Sequence, residues 1–265
     1  MSVAPATAPG AAAPVIGLGP DCRTVDFLSD VHLRAEAPRT FAAWRQHMLG
    51  TPADAIFILG DLFELWIGDD ARTGAFEASC LEVLRESART RQLAFMAGNR
   101  DFLLGEQAHR SVPMQPLPDP VVLEGFGTRL LLGHGDAWCL EDAPYQAFRQ
   151  QVRSPAWQED FLGRPLAERA EVAAGIRQAS QARKRSLPDP ELWADLDRDA
   201  VVAALEQSGA RTLVHGHTHR PARHDLGSGR ERWVLSDWDL EGPKPRADVL
   251  RWSAAGLCRH GVSGP

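Results

Sequence analysis

Five short motifs combine side chains that are able to bind metal. In chain order they are Asp30-Val31-His32, Gly60-Asp61, Gly98-Asn99, Gly133-His134 and Gly216-His217-Thr218-His219. Carboxylate and amide oxygens and imidazole nitrogens are ligands that divalent Mn, Fe and Zn accept in proteins. Asp30 and His32 alone would be interpreted as a capping carboxylate and a surface histidine. The prediction of a metal site therefore depends on the five motifs together.

Each motif follows a short run of residues typical of a β-strand. The runs are TVDFL at 24–28, AIFIL at 55–59, LAFM at 93–96, RLLL at 129–132 and RTLV at 211–214. Buried strands that end in polar loops are typical of α/β enzymes, whose sites lie beyond the strand ends. Side chains two residues apart in a strand point the same way. We therefore expect Asp30 and His32 to face one site, and His217 and His219 to do the same.

A glycine stands directly before Asp61, Asn99, His134 and His217. Glycine permits a positive φ in tight turns, and it also lets the backbone approach a metal or a phosphate closely. From the sequence, either a positive φ or a close approach of the backbone could explain these glycines.

Composition is that of a soluble globular protein. Of the 265 residues, 44% are hydrophobic and 24% are charged, with a net charge of −6, which argues against a nucleic-acid binder that works by bulk electrostatics. Four cysteines lie far apart without a CxxC pair, so we expect reduced thiols. No apolar run approaches the ~20 residues of a membrane-spanning helix. Residues 1–22, rich in Ala, Pro and Gly, are predicted to be a disordered leader.

Residues 142–208 show helical periodicity, and we interpret them as an insertion or lid within a single domain over 23–265. Asp142 and Ser154-Pro155 are predicted helix starts. The apolar residues either line a slot for acyl chains beside a polar site or only pack the insertion on the main domain; they are Tyr145, Phe148, Trp157, Phe161, Leu162 and Ile176. A positive edge that would meet anionic lipid is also predicted. It consists of Arg153, Arg164, Arg169, Arg177, Arg183, Lys184 and Arg185.

The order D-x-H, GD, GN, GH and GHxH resembles that of the calcineurin-like metallophosphoesterase family over roughly residues 24–240. The resemblance implies an α/β fold of two stacked mixed β-sheets flanked by helices, a four-layer sandwich, with a helical insertion. It also implies two metals: one held by Asp30, His32 and His219, with Asp61 bridging to a second held by Asn99, His134 and His217. Two divalent metals about 3.5–4 Å apart lower the pKa of a bound water and stabilise charge on phosphorus oxygens.

Longer segments are similar to the UDP-2,3-diacylglucosamine hydrolases within that family. They are GDLFELWIGDD at 60–70, GNRDFLLG at 98–105, FRQQVRSPAWQEDFLGRPLAER at 148–169 and HGHTHRPARH at 215–224. The resemblance implies hydrolysis of the pyrophosphate bond of UDP-2,3-diacylglucosamine to UMP and 2,3-diacylglucosamine 1-phosphate, in lipid A biosynthesis. We expect two Mn²⁺ ions, a monomer without a nucleic-acid partner, and a cytoplasmic location, peripheral on the inner membrane.

The same resemblance implies the residues that act on the substrate. Catalytic roles fall to Arg100, Asn99 and His134, and substrate contacts fall to Asn99, Arg100, Asp142, Tyr145, Arg177, Ser180, Lys184 and His217. Many family members have GNHD where this chain has Gly98-Asn99-Arg100-Asp101. A permanent cation thus replaces a histidine that can act as an acid. The planar fork of an arginine suits phosphate oxygens, and a leaving phosphate monoester needs little protonation.

Two other functions remain open. One is a phosphoesterase that acts on nucleotides or other phosphoesters, and the other is a scaffold that has lost its metals, although all seven ligand positions are filled. An apolar cavity beside the metals would favour the lipid substrate, and a small polar pocket would favour nucleotides. His215 is expected to lie outside the metal ligands. His47, His109, His224 and His260 belong to no motif and are expected at the surface.

Overall fold

The computed structural model describes residues 12–186 and 195–262, with side chains described as far as Gln178 in the first range. These residues form two six-stranded β-sheets and seven α-helices. The strands are β1 (Val15–Gly17), β2 (Thr24–Leu28), β3 (Ala55–Leu59), β4 (Gln92–Met96), β5 (Met114–Leu117), β6 (Val121–Gly125), β7 (Thr128–Gly133), β8 (Thr212–His215), β9 (Ala222–Gly227), β10 (Arg230–Val234), β11 (Asp248–Ser253) and β12 (Gly256–Gly261). The helices are α1 (Pro38–Gly50), α2 (Ala75–Ala88), α3 (Glu106–Ser111), α4 (Ala143–Val152), α5 (Pro155–Leu162), α6 (Leu166–Ser186) and α7 (Arg198–Ser208).

Both sheets mix parallel and antiparallel strand pairs. One sheet has the order β1-β6-β7-β8-β10-β9, and the other has the order β12-β11-β2-β3-β4-β5. Strands β2 to β5 are parallel neighbours, so their carboxyl ends share one edge of the sheet. Strands β7 and β8 are also parallel neighbours, and their carboxyl ends likewise lie side by side.

The central core lies between the sheets, and helices cover both outer faces. Alternation along a strand produces this arrangement: buried Phe27 and Phe57 point between the sheets, whereas Leu28 and Ile58 pack in the cluster that includes α1 and α2. Helix α7 covers the other sheet through a cluster that contains Leu205. Full burial of one such side chain stabilises the fold by about 1.5–3 kcal/mol. The four-layer α/β sandwich expected from the sequence is confirmed.

The predicted helix starts in the insertion are confirmed. Helix α4 begins where the side chain of Asp142 accepts a hydrogen bond from the Tyr145 N–H at 3.0 Å. Helix α5 begins at Pro155, where Ser154 Oγ accepts a hydrogen bond from the Trp157 N–H. Such side chains satisfy amide groups that the first turn of a helix leaves free. None of the described helices has the length and apolar character needed to cross a membrane.

Residues 15–17 correct the boundary of the predicted disordered leader over 1–22. They form β1 and pair in parallel with β6, with Val15 opposite Val122. This pairing satisfies backbone groups that a leader would expose to water. Residues 1–11 lie outside the described residues.

Three charged or titratable side chains expected at the surface are buried or nearly so. The side chain of His47 is 8% exposed, with Nε2 3.3 Å from Oδ2 of Asp26. Arg153 is 14% exposed and donates a hydrogen bond to the Gly98 carbonyl at 2.9 Å. Arg169 is 3% exposed and pairs with Asp70. These two arginines therefore hold the insertion on the main domain and do not contribute to a positive edge.

Candidate metal centre

The five motifs lie beyond the carboxyl ends of strands from both sheets. Asp30, His32, Asp61 and Asn99 follow β2, β3 and β4, whereas His134, His217 and His219 follow β7 and β8. The seven side chains meet where the two sheets present these strand ends together. The strand-end placement expected from the sequence is confirmed.

Five of these seven residues have a left-handed backbone. Their φ angles are 52° at Asp30, 51° at His32, 53° at Asp61, 69° at His217 and 55° at His219. A residue with a Cβ pays about 1–3 kcal/mol for such a conformation, so the surrounding structure must hold it. The N–H groups of Asp30 and His32, for example, donate hydrogen bonds to carbonyl groups of the loop after β3. Asp30 and His32 face one site as expected, and so do His217 and His219. The cause is their left-handed backbone, not the alternation of side chains along a strand.

Most of the glycines that precede the ligands are required because neighbouring loops pack too closely against them to leave room for a side chain. Of the four, Gly60 alone has a positive φ, 90°. A Cβ at Gly98 would lie 2.1 Å from Asp61 Oδ1, and a Cβ at Gly216 would lie 2.3 Å from Asp30 Oδ2. The loops can bring the ligands together only because these positions have no side chain.

The first ligand cluster joins Asp30, His32 and His219. The Nε2 atoms of His32 and His219 are 3.3 Å apart. Asp30 Oδ1 lies 3.3 Å from His219 Nε2 and 4.0 Å from His32 Nε2. Two imidazole nitrogens and a carboxylate oxygen thus converge on one point, as a divalent cation requires.

The second ligand cluster joins Asn99, His134 and His217. Asn99 Oδ1 lies 3.0 Å from His134 Nε2 and 2.9 Å from His217 Nδ1. Asp61 stands between the two clusters, with Oδ1 3.7 Å from His134 Nε2 and Oδ2 3.9 Å from His32 Nε2. One oxygen faces each cluster, which is the arrangement that a bridging carboxylate needs.

Partners behind the histidines determine which ring nitrogen faces the clusters. His32 Nδ1 lies 3.3 Å from Glu64 Oε2, and His219 Nδ1 lies 3.5 Å from Asp237 Oδ2. His134 Nδ1 lies 2.9 Å from a carbonyl oxygen at the end of β3. Such partners orient metal-binding histidines, so the Nε2 of each of these three rings faces the clusters. The seven residues therefore fit two divalent metal ions.

The electrostatics of the site also favour bound cations. Burial acts to raise the pKa of Asp30, but the hydrogen bond and charge of His219 hold this pKa well below its usual range. Burial acts to lower the pKa of His134, yet Asp61, Asp136 and Asp30 raise it to about 9. Buried carboxylates that stay ionised stabilise positive charge among them.

Asp101 connects two of the ligand loops, a role that was not apparent from the sequence. It is fully buried, and its carboxylate accepts hydrogen bonds from the N–H groups of Gly98 at 2.8 Å and Leu62 at 2.7 Å. Its neighbour Arg100 donates its N–H to Asp61 Oδ1 at 2.8 Å. Among the described residues, the buried Nε of Arg100 has no hydrogen-bond partner, so this guanidinium keeps a donor for a ligand. The one sequence signal for Asp101 was its fixed place at the end of GNRD.

Helix α4 places Tyr145 beside the second cluster. The ring centroids of Tyr145 and His217 are 5.7 Å apart, and the Tyr145 hydroxyl donates to buried Asp136 at 2.7 Å. Asp142 lies at the start of the same helix and caps it. Of the two predicted substrate-binding residues, Tyr145 thus lies beside His217, and Asp142 stands at the start of the helix that places it.

Helix α6 carries the other predicted substrate-binding residues of the insertion. Arg177 Nε lies 3.1 Å from Glu64 Oε1, and Glu64 in turn contacts His32. Ser180 and Lys184 fall outside the residues whose side chains are described. His215, expected outside the metal ligands, belongs to neither ligand cluster, and its Nδ1 lies 2.9 Å from the Gly216 carbonyl oxygen.

Comparison with known proteins agrees with this geometry. The sequence profile of the calcineurin-like phosphoesterases matches residues 23–221, and the chain belongs to this family. It is 44% identical over 238 residues to the UDP-2,3-diacylglucosamine hydrolase of Aromatoleum aromaticum, across 87% of this chain and 93% of that protein. It is 42% identical over 249 residues to the protein of the same name from Stenotrophomonas maltophilia, across 89% and 100% of the two chains. Among solved structures, a phosphoesterase from E. coli aligns with 91% of this chain and 100% of its own, at 16% identity and a TM-score of 0.41.

Proposed function

We propose that this protein hydrolyses the pyrophosphate bond of UDP-2,3-diacylglucosamine to UMP and 2,3-diacylglucosamine 1-phosphate in lipid A biosynthesis. The observation that carries the proposal is the 42–44% identity to relatives named for this substrate, over most of both chains. The convergence of all seven expected ligands at one site supports it.

In the proposed reaction, seven side chains bind the metal ions and Arg100 binds the phosphate. Two divalent ions, proposed to be Mn²⁺, would be held by Asp30, His32, Asp61, Asn99, His134, His217 and His219. When bound, such ions supply a hydroxide at neutral pH and positive charge for phosphoryl oxygens. Asn99 and His134 would act together as ligands of the second ion, since Asn99 Oδ1 and His134 Nε2 lie 3.0 Å apart. Arg100 binds phosphate oxygens with its planar fork, and its permanent charge suits a phosphate monoester that leaves without a proton.

The proposed substrate contacts are Asn99, Arg100, Asp142, Tyr145, Arg177, Ser180, Lys184 and His217. The acyl chains are proposed to lie along the insertion, within a single domain over 23–265. Phe161 is 3% exposed and belongs to the core cluster of the main domain, so it supports the insertion without lining a slot. Tyr145, Phe148, Trp157, Leu162 and Ile176 remain the proposed lining.

The alternative is a phosphoesterase that acts on nucleotides or other phosphoesters. A substrate panel separates the two functions: UDP-2,3-diacylglucosamine, UDP-glucose and bis(p-nitrophenyl) phosphate, each with Mn²⁺ and with chelator. We expect UMP release from the acylated substrate to exceed release from UDP-glucose by orders of magnitude. Equal rates on the two nucleotide sugars would favour the alternative.

Asp61→Ala tests the metal centre that the proposal requires. Loss of the bridging carboxylate should abolish both Mn²⁺ binding, measured by calorimetry on metal-free protein, and UMP release. Asp199→Ala removes an exposed carboxylate from the first turn of α7 and should change neither. Normal turnover by Asp61→Ala would exclude the two-metal chemistry.

We also propose that the protein is a monomer that binds the cytoplasmic face of the inner membrane through its insertion. Leu166 of the insertion is 41% exposed, and Leu140, just before the insertion, is 49% exposed. Leu166 follows the exposed Arg164 by two residues, and exposed apolar groups with basic neighbours favour an interface with anionic lipid. Activity should sediment with native membranes at low salt, and its complete recovery in the soluble fraction would contradict the proposal. Light scattering should give about the chain mass of 29.0 kDa.

A further inference from the structure

Glu64 is a largely buried carboxylate that contacts both the metal centre and the insertion. It lies in the loop after β3, and its side chain is 12% exposed. One oxygen, Oε2, lies 3.3 Å from His32 Nδ1. The other, Oε1, lies 3.1 Å from the Nε of Arg177 on helix α6. Each oxygen therefore has a different partner, one on each side of the site.

Asp237 provides an internal comparison for this contact. It lies 3.5 Å from His219 Nδ1, so it stands behind His219 as Glu64 stands behind His32. Its arginine partner, however, is Arg246, whose Nε donates to Asp237 Oδ1 at 2.7 Å and which lies between β10 and β11. The two carboxylates orient equivalent histidines, but Glu64 alone of this pair also reaches the insertion.

We propose that Glu64 is a positioning residue that orients His32 toward the first metal and holds the guanidinium of Arg177 where a substrate phosphate arrives. The part that concerns Arg177 deepens the proposed function and depends on it. The part that concerns His32 depends only on the metal centre.

Charge and exposure support this role over that of an ordinary structural ion pair. Glu64 faces Arg177 and also Arg34, whose Nη1 is 3.7 Å away, so one negative charge stands against two positive charges. Arg177 is 40% exposed and remains accessible to a ligand while Glu64 restrains it. A restrained arginine loses less side-chain entropy when it binds an anion. A phosphate group bound here would contact the restrained guanidinium of Arg177 and would be attracted by the net positive charge of Arg177, Arg34 and Glu64.

The test compares Glu64→Gln with its counterpart Asp237→Asn. Both variants keep the size of the side chain and remove the charge behind one histidine. In metal-free protein titrated with Mn²⁺ by calorimetry, we expect both to weaken binding by about 10–100-fold, the usual effect of losing such a partner. This measurement needs no substrate. Unchanged Mn²⁺ affinity in Glu64→Gln would overturn the proposed orientation of His32.

The role of Arg177 is tested by kinetics at saturating Mn²⁺. Glu64→Gln and Arg177→Gln should each raise KM by about tenfold with a smaller change in kcat, because a charged hydrogen bond to phosphate is lost or loosened. The double variant should show no further increase in KM, and Asp237→Asn, whose arginine partner is Arg246 and not Arg177, should raise KM less than Glu64→Gln does. Multiplied effects in the double variant, or an equal rise in Asp237→Asn, would overturn the proposal.

The same kinetics on bis(p-nitrophenyl) phosphate separate this inference from the proposed function. If the wild type cleaves this diester but not UDP-2,3-diacylglucosamine, the proposed function fails. The pattern of KM values on the diester then decides the role of Glu64 by the same criteria.

Discussion

Replacing Asp136 by asparagine should loosen the attachment of the insertion to the metal centre. The carboxylate is fully buried and accepts hydrogen bonds from the Tyr145 hydroxyl at 2.7 Å and from Arg149 Nε at 2.9 Å. Arg153 Nη2 lies 3.6 Å from it and donates to the carbonyl of Gly98. Asp136 thus connects helix α4 with the loop that carries Asn99 and Arg100.

The magnitude follows from the burial of this network. Breaking a buried ion pair by removing one partner costs about 3–5 kcal/mol. Asparagine retains an acceptor for Tyr145, and the side chains of Arg149 and Arg153 are 17% and 14% exposed, so water relieves part of the cost. We therefore expect a loss of about 3 kcal/mol in the free energy of unfolding. At about 2–4 °C per kcal/mol for a protein of this size, Tm should fall by about 6–12 °C.

Urea unfolding followed by circular dichroism measures this loss, and thermal unfolding measures the change in Tm. The matched control is Asp160→Asn, which removes the same charge from a surface pair with Arg164, whose two side chains are 64% and 43% exposed. An exposed pair contributes about 0–1 kcal/mol. If Asp136→Asn cost no more than this control, the stability assigned to the buried network would be refuted.

Two further predictions concern close packing and pH. Gly98→Ala should abolish Mn²⁺ binding, since its Cβ would lie 2.1 Å from Asp61 Oδ1, whereas Gly50→Ala, with nothing within 4 Å, should bind normally; equal affinities by calorimetry would contradict the packing argument. Burial acts to raise the pKa of Asp195, but the hydrogen bond from Arg232 lowers it from 3.8 to about 2. A carboxyl with a lowered folded pKa contributes stability above its unfolded pKa that is lost as pH falls through the folded pKa. Urea unfolding should therefore show a smaller loss of stability between about pH 4 and pH 2 in Asp195→Asn than in the wild type, and parallel curves would contradict this assignment.

The metal-ligand motifs and the strands that carry them were predictable because each depends on neighbouring residues. A run such as AIFIL at 55–59 has the composition of a buried strand, and Asp61 after it places a carboxylate beyond that strand's end. The helix starts at Asp142 and Ser154 were predictable for the same reason, since each capping side chain binds an amide three residues away.

The backbone of the ligands was not predictable from local sequence. Left-handed conformations at Asp30 and His217 are unfavourable on their own, and the loops of two facing sheets impose them. The prediction that these paired side chains face one site was therefore correct, but the cause is the left-handed backbone and not the alternation of side chains along a strand.

The partners of charged residues were decided by tertiary structure alone. Glu64 pairs with Arg177 of the insertion and with Arg34, and Asp136 pairs with Arg149 and Arg153 of the insertion; no local sequence pattern indicates these pairs. The sequence around Arg153 and Arg169 is typical of surface cations. In the structure, however, both side chains are largely buried and pair with carboxylates and carbonyl groups that are distant in the chain. The sequence by itself determined which atoms are available to bind metal and which strands end beside them. Only the tertiary structure decided which charges are paired, because the free energy of a charge depends on burial and on partners far away in the chain.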